Sequence, residues 1–194
     1  YLISDPVFEN VVTCAPEDLK RARFAKGVLA AKGLMYVMDI PNTAVELAPL
    51  IRSSIKKTAK MMNGLLLPFF GNKGIRFLVK KIKSLEKQPK KEAALFLGNI
   101  VRMQEEIGTG GAGFRFMFAS FLDESSQLLN DNALFEIAKY TTEIGDLWRE
   151  FAMKSVLFCK NRKNISLDDV AQSLEACADH EAILRSKLLQ WSKL

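Results

Sequence analysis

Gly74-Ile75-Arg76-Phe77-Leu78-Val79-Lys80-Lys81-Ile82-Lys83-Ser84-Leu85-Glu86-Lys87 is the stretch from which the fold can be read. Ile75, Leu78, Val79, Ile82 and Leu85 recur at three- and four-residue intervals, which puts them on one face of a helix over 74–87. The same period runs outward in both directions. Upstream, Val45, Leu47, Leu50, Ile51 and Ile55 predict a helix over 43–62, capped by Asn42 or Thr43. The apolar run Met61–Phe70 is interrupted by Asn63, Gly64 and Pro68 and reads as a buried helix end followed by a turn. Downstream, Pro89 opens a helix whose inner face would hold Ala93, Phe96, Ile100, Met103 and Ile107. Phe114, Met117, Phe118, Phe121 and Leu122 form a bulky stripe taken as core packing. Two long helices follow over 132–160 and 166–194, the second capped by Ser166 with Asp168 and Asp169 in its first turn.

The first forty residues have another texture. Tyr1-Leu2-Ile3 and Leu34-Met35-Tyr36-Val37-Met38 are short apolar runs ended by Asp and Pro, and both read as strands; Val7–Thr13 is also rich in β-formers. Between them Pro16-Glu17-Asp18 opens a helix. The expected fold is therefore mainly α: a bundle of about six helices over 41–194, with a few short strands and one helix over 1–40 that belong to an upstream α+β domain. Tyr1 stands in what looks like mid-strand, so the chain reads as a piece of a longer protein.

At 194 residues, 48% hydrophobic and 26% charged, the chain has the composition of a globular protein with one good core. No apolar run reaches the ~18 residues of a membrane span, and Tyr1–Asn10 lacks the basic start of a secretory signal. Cys14, Cys159 and Cys177 are odd in number and widely spaced, which fits free thiols in a reducing cytoplasm. His180 is the sole histidine, with no zinc-type spacing around it, so neither a metal nor another cofactor is expected.

Gly108-Thr109-Gly110-Gly111-Ala112-Gly113-Phe114-Arg115 sits between two amphipathic helices, after Glu105-Glu106. A simple interhelical turn needs one glycine, whereas this segment has four in six positions. Such a loop can converge backbone N–H groups on an anion at a helix N-terminus, with Arg115 as a further donor for carboxylate or phosphate. It can equally serve close helix packing. It is neither a P-loop nor a dinucleotide fingerprint, because no strand precedes it and no Gly-Lys-Ser/Thr ends it.

Glu106-Ile107-Gly108-Thr109-Gly110-Gly111, followed by Phe114-Arg115, Met117-Phe118 and Phe121-Leu122, resembles the signature of the C-terminal domain that follows the N-terminal domain of BtrH-type acyltransferases. Leu19 with Ala22-Arg23, Asn72-Lys73-Gly74-Ile75 and Leu147-Trp148 agree with it. The resemblance implies a papain-like Cys–His–Asp enzyme that moves an acyl group from a carrier-bound thioester to a small-molecule amine in antibiotic-type secondary metabolism, with the Cys and His upstream. It makes Asp5 the candidate that orients the His; a strand-end Asp starting a turn before Pro6 is the alternative. It also makes Gly108, Thr109, Gly110, Gly111 and Arg115 candidates for the acyl donor or an oxyanion, and Glu105 and Glu106 candidates for the amine. The alternatives are a non-catalytic helical binding module and an amide hydrolase of the same fold family.

Charge is concentrated. Twelve basic residues and one acid, Glu86, lie between Arg52 and Lys91, a surplus of +11 in a chain of net charge +6. A positive face of this kind attracts and steers an acidic partner. Lys56, Lys57, Lys80, Lys81 and Lys83 are the docking candidates, and the resemblance implies an acidic acyl carrier protein; a solvated face that aids solubility is the alternative. Little aromatic interleaving speaks against nucleic acid, and Phe77 alone against a membrane surface. A homo-oligomer is left open.

Overall fold

The periodic stretches become α-helices in the structure, a computed structural model that describes residues 1–4, 8–27, 30, 32–39, 45–64, 69–106 and 110–193. Its backbone falls into two units, Tyr1–Ala44 and Val45–Leu194.

The second unit contains α2 (Leu47–Met61), α3 (Gly71–Ser84), α4 (Lys90–Val101), α5 (Arg115–Leu129), α6 (Asn132–Cys159) and α7 (Leu167–Trp191). α6 lies between α5 and α7 and also carries α4, while α2 and α3 pack on α7. Leu134, Ile144 and Phe151 of α6 and Val170, Leu174, Leu184 and Leu188 of α7 are almost wholly buried and form the centre of the core. Ile51 and Ile55 of α2, Val79 and Ile82 of α3 and Leu97 of α4 complete it. The α5–α6 contact is close because Gly145 leaves room for the Phe116 ring; a Cβ there would lie 2.6 Å from a ring carbon.

Two polar clasps fix the ends of the long helices. The Ser166 hydroxyl accepts from Asp169 N–H while the Asp169 carboxylate accepts from Ser166 N–H, the reciprocal cap expected at this serine. Asp131 caps α6 by accepting from Leu134 N–H (3.0 Å) and also takes the Trp191 indole N–H (2.8 Å), so the start of α6 is tied to the end of α7. Burial pushes the Asp131 carboxyl up, but the Leu134, Trp191 and Ala133 N–H groups and nearby Arg52 outweigh it and hold the carboxyl below its usual range.

Several inward assignments change. On α2, Ile51, Ile55 and Ala59 are buried, whereas Val45, Leu47 and Leu50 are exposed; the expected caps Asn42 and Thr43 lie outside the described residues. α3 starts at Gly71, three residues before its expected start, because Gly71 takes φ +59° and Asn72 N–H closes onto Met62 O at 2.9 Å. Its last turn tightens to a 3₁₀ turn at Leu85–Lys87. Of the helix end expected to be buried, Met62 packs against the core while Met61, Phe69 and Phe70 are exposed, and residues 65–68 lie outside the described residues. α4 runs into a π-helical turn over Arg102–Glu106. That wider turn rotates the register, facing Gln104 inward and Met103 outward. Ile107 lies outside the described residues. On α5 the aromatic stripe divides: Leu122 is buried and Phe118 partly so, while Phe114, Met117 and Phe121 are exposed. Spacing placed both rows on one half of the helix, and α6 covers only one of them.

The first unit contains β1 (Leu2–Ile3) and β2 (Val12–Thr13), an antiparallel pair with Leu2 opposite Thr13, and α1 (Pro16–Arg23). Leu34–Met38, expected as a strand, pairs with no strand among the described residues, and its five side chains are all exposed. None of the unit's described residues is buried.

Candidate functional site

The glycine segment joins the π-helical turn to α5. Gly110, Gly111, Ala112, Gly113 and Phe114 have φ of 66°, 85°, 48°, 53° and 70°, five consecutive left-handed residues of which two carry a Cβ. Each non-glycine residue there costs about 1–2 kcal/mol, so surrounding contacts must hold the turn. Glu105 supplies one. Its Oε1 accepts from Ala112 N–H at 3.1 Å and from the Gln104 side-chain amide at 2.8 Å, while that amide also donates to Trp148 O at 2.9 Å. The anion on which this stretch closes is therefore a carboxylate of the chain itself. A Cβ on Gly111 would stand 3.1 Å from Glu105 Oε2 and 3.2 Å from an Arg149 guanidinium nitrogen.

Arg115 is also engaged from within. Its Nε donates to Glu181 Oε1 at 2.7 Å, its Nη1 donates to Gly113 O at 2.7 Å, and its guanidinium lies over the Trp148 ring at 4.3 Å. Trp148 Nε1 donates to the same Glu181 oxygen at 3.0 Å. Glu181 is 6% exposed, so this carboxylate is a buried junction that ties the start of α5 to α6 and α7. Arg115, expected as a donor for carboxylate or phosphate, here donates to a carboxylate of the chain itself. Beside it, Thr58, Met62, Phe114, Phe118 and Leu184 line a cleft of about 160 Å³ that has Arg115 and Glu181 in its wall.

Glu105 and Arg149 also line an open groove of about 470 Å³ with Val101, Ala152, Met153 and Val156. With a carboxylate and a guanidinium on otherwise apolar walls, it can hold an amine-bearing molecule at Glu105. Glu106 points elsewhere: it is exposed, 4.0 Å from Arg102. Asp5, Gly108 and Thr109 lie outside the described residues.

Cys159 and Cys177 have no catalytic setting. Burial, reinforced by Glu181, pushes the Cys177 thiol up to about 12, and burial also raises that of Cys159. His180 Nδ1 is 2.9 Å from the Tyr140 hydroxyl, on the α6–α7 contact. No group of three or more His, Cys, Asp or Glu able to hold a metal occurs among the described residues. No helix among them is long and apolar enough to cross a membrane.

In the basic belt, Lys56, Lys57, Lys80 and Lys81 are exposed. Lys83 lies 3.6 Å from Glu175 and Arg76 2.6 Å from Asp179, so these two spend part of their charge on α7.

Glu181, Trp148, Gln104 and Arg149 were missed in the sequence. Glu181 left a trace there: it falls in the row Leu174, Cys177, Ala178, Glu181, Leu184, Leu188, an acid on an otherwise apolar face. Gln104 could not be found, because its inward direction depends on the π-helical turn.

No curated protein and no solved structure matches the chain. A family model described as Domain of unknown function (DUF4872) matches residues 17–188, and the chain belongs to that family.

Proposed function

We propose that this chain is the part of a BtrH-type acyltransferase that does not carry the nucleophile, and that its partner residues, a Cys and a His, stand in polypeptide beyond these 194 residues. One observation carries the reading. The described part of Tyr1–Ala44 buries nothing, yet displays Tyr1, Leu2, Phe8, Val11, Phe24 and the whole of Leu34–Met38 to solvent. A segment like this does not recover its ordering entropy alone and belongs to a larger domain that covers it. Asp5 then orients the His of that domain. The helical unit contributes the wall around the glycine segment, and Glu105 in its open groove receives the acceptor amine. The acyl-transfer chemistry itself rests on the motif resemblance.

A second reading, a non-catalytic helical binding module, draws on the row Phe114, Met117, Phe121 and Leu128, which leaves one face of α5 apolar and exposed.

The test is intact-mass and peptide analysis of the protein that carries this chain after incubation with a small acyl thioester. The acyltransferase reading expects one acyl adduct on a cysteine outside residues 1–194, formed more slowly in Asp5→Asn. No adduct, or one on Cys14, Cys159 or Cys177, overturns it.

A further inference from the structure

Phe77 is the lone apolar side chain that the sequence offers a membrane surface, and the basic belt reads there as a dock for an acidic protein; in the structure the α2–α3 corner combines two features that change this balance. The first is exposed apolar surface: Met61, Phe69, Phe70 and Phe77 are 53%, 61%, 51% and 49% exposed. The Phe69 and Phe77 rings meet edge to face at 5.0 Å and the Phe69 backbone lies against Gly74, with Phe70 next in the chain and Met61 at the end of α2. The second is charge. The residues from Lys56 to Lys81 include seven basic side chains and no acidic one. Helical spacing puts Lys57 on the same face as Met61, and Lys73, Lys80 and Lys81 on the same face as Phe77. All four lysines are exposed.

We propose that this corner docks the protein on an anionic lipid bilayer, with the four apolar side chains entering the headgroup–acyl boundary and the lysines meeting lipid phosphate and carboxylate groups. Two observations favour a bilayer over an acidic protein. The exposed side chains of Met61, Phe69, Phe70 and Phe77 carry no charge and no hydrogen-bond donor, which offers nothing to a polar partner surface. The described backbone of the corner is also internally bonded: Gly64 N–H to Met61 O at 2.9 Å, Asn72 N–H to Met62 O at 2.9 Å and Gly74 N–H to Phe70 O at 3.3 Å. Those groups therefore enter an apolar layer already paired. No spanning helix is needed for attachment of this kind.

The experiment is co-sedimentation of the full chain with vesicles of phosphatidylcholine alone and of phosphatidylcholine with about one-third phosphatidylserine. Binding is expected only to the anionic vesicles and to fall as salt is raised. Each exposed lysine removed lowers partitioning about fivefold, so Lys80→Ala with Lys81→Ala costs about twenty-five-fold. Phe70→Ser lowers it about tenfold at unchanged charge. Phe70→Trp keeps the apolar character and reports insertion directly: its emission shifts to the blue on anionic vesicles, while the native Trp148 and Trp191 are 7% and 3% exposed and give a constant background. The proposal is overturned by no sedimentation with anionic vesicles, by equal binding to neutral ones, or by adsorption that Phe70→Ser leaves unchanged and that gives no blue shift. An acidic protein captured by these lysines in the absence of vesicle binding overturns it as well.

Discussion

Replacing Arg115 by methionine removes the charge opposite Glu181 while keeping a long apolar side chain over Trp148. The carboxylate loses its 2.7 Å bond and retains the 3.0 Å bond from the Trp148 indole. Removing one partner of a fully buried ion pair costs about 3–5 kcal/mol. Here the Glu181 side chain is 8% exposed but that of Arg115 is 26% exposed, so water reaches one side of the pair and the expected loss is nearer 2–3 kcal/mol. For a chain of this size that lowers the melting temperature by roughly 5–10 °C. Arg115→Met/Glu181→Leu leaves no uncompensated charge and should cost less than the sum of the two single changes, with a coupling above about 1 kcal/mol. Urea unfolding followed by far-ultraviolet circular dichroism on the four proteins measures the loss and the coupling, and thermal melts of the same proteins give the shift in melting temperature. If Arg115→Met unfolds within about 0.5 kcal/mol of the parent, the pair is not structural, and Arg115 becomes available to a ligand as the sequence first suggested.

Three other outcomes follow from the same geometry. Gly111→Ala meets both a left-handed φ of 85° and the Glu105 carboxylate at 3.1 Å, and should destabilise the fold by about 1–3 kcal/mol in thermal melts, whereas Gly98→Ala, with open space around it, should be neutral or slightly stabilising. Because the Asp131 carboxyl is held below its unfolded value, its contribution is complete above about pH 4 and is lost as pH falls through the folded value; Asp131→Ala should cost about 1 kcal/mol at neutral pH and progressively less in acid, read from urea midpoints across pH. Cys177, buried with its thiol at about 12, should resist iodoacetamide in the folded protein and react only on unfolding, while partly exposed Cys14 is labelled first, as peptide masses would show.

The helices were legible because burying one face of a helix imposes a 3.6-residue period on the sequence, and Ile75, Val79, Ile82 and Leu85 keep that period without interruption. The Ser166 cap was legible for a similar reason: side-chain capping is local chemistry, complete within four residues. What failed depends on neighbours far away in sequence. Phe114, Met117 and Phe121 share the period of Leu122, and only the position of α6 decides which row is covered. Leu34–Met38 has a strand's composition, but a strand needs an edge to bond to. At the site, the density of glycine marked a run of positive φ from Gly110 to Phe114. Composition could not say that the anion there would be Glu105, or that Arg115 would turn to Glu181, because both partners are set by packing.

The clasp between Asp131 and Trp191 also acts as a ruler. It joins the first residue boundary of a 28-residue helix to the last residue of a 25-residue antiparallel neighbour, and Arg52 lies 4.9 Å over the same indole ring. One residue inserted anywhere along α6 or α7 turns everything beyond it by about 100° and moves it 1.5 Å along the axis. The indole would then swing off its carboxylate, and the core rows of Phe151 and Leu184 would lose their facing partners together. Length in this fold is thus fixed within the two long helices, and the connection between them is itself pinned, with Ile165 packed on the core and Lys90 donating to Asn161 at 2.6 Å.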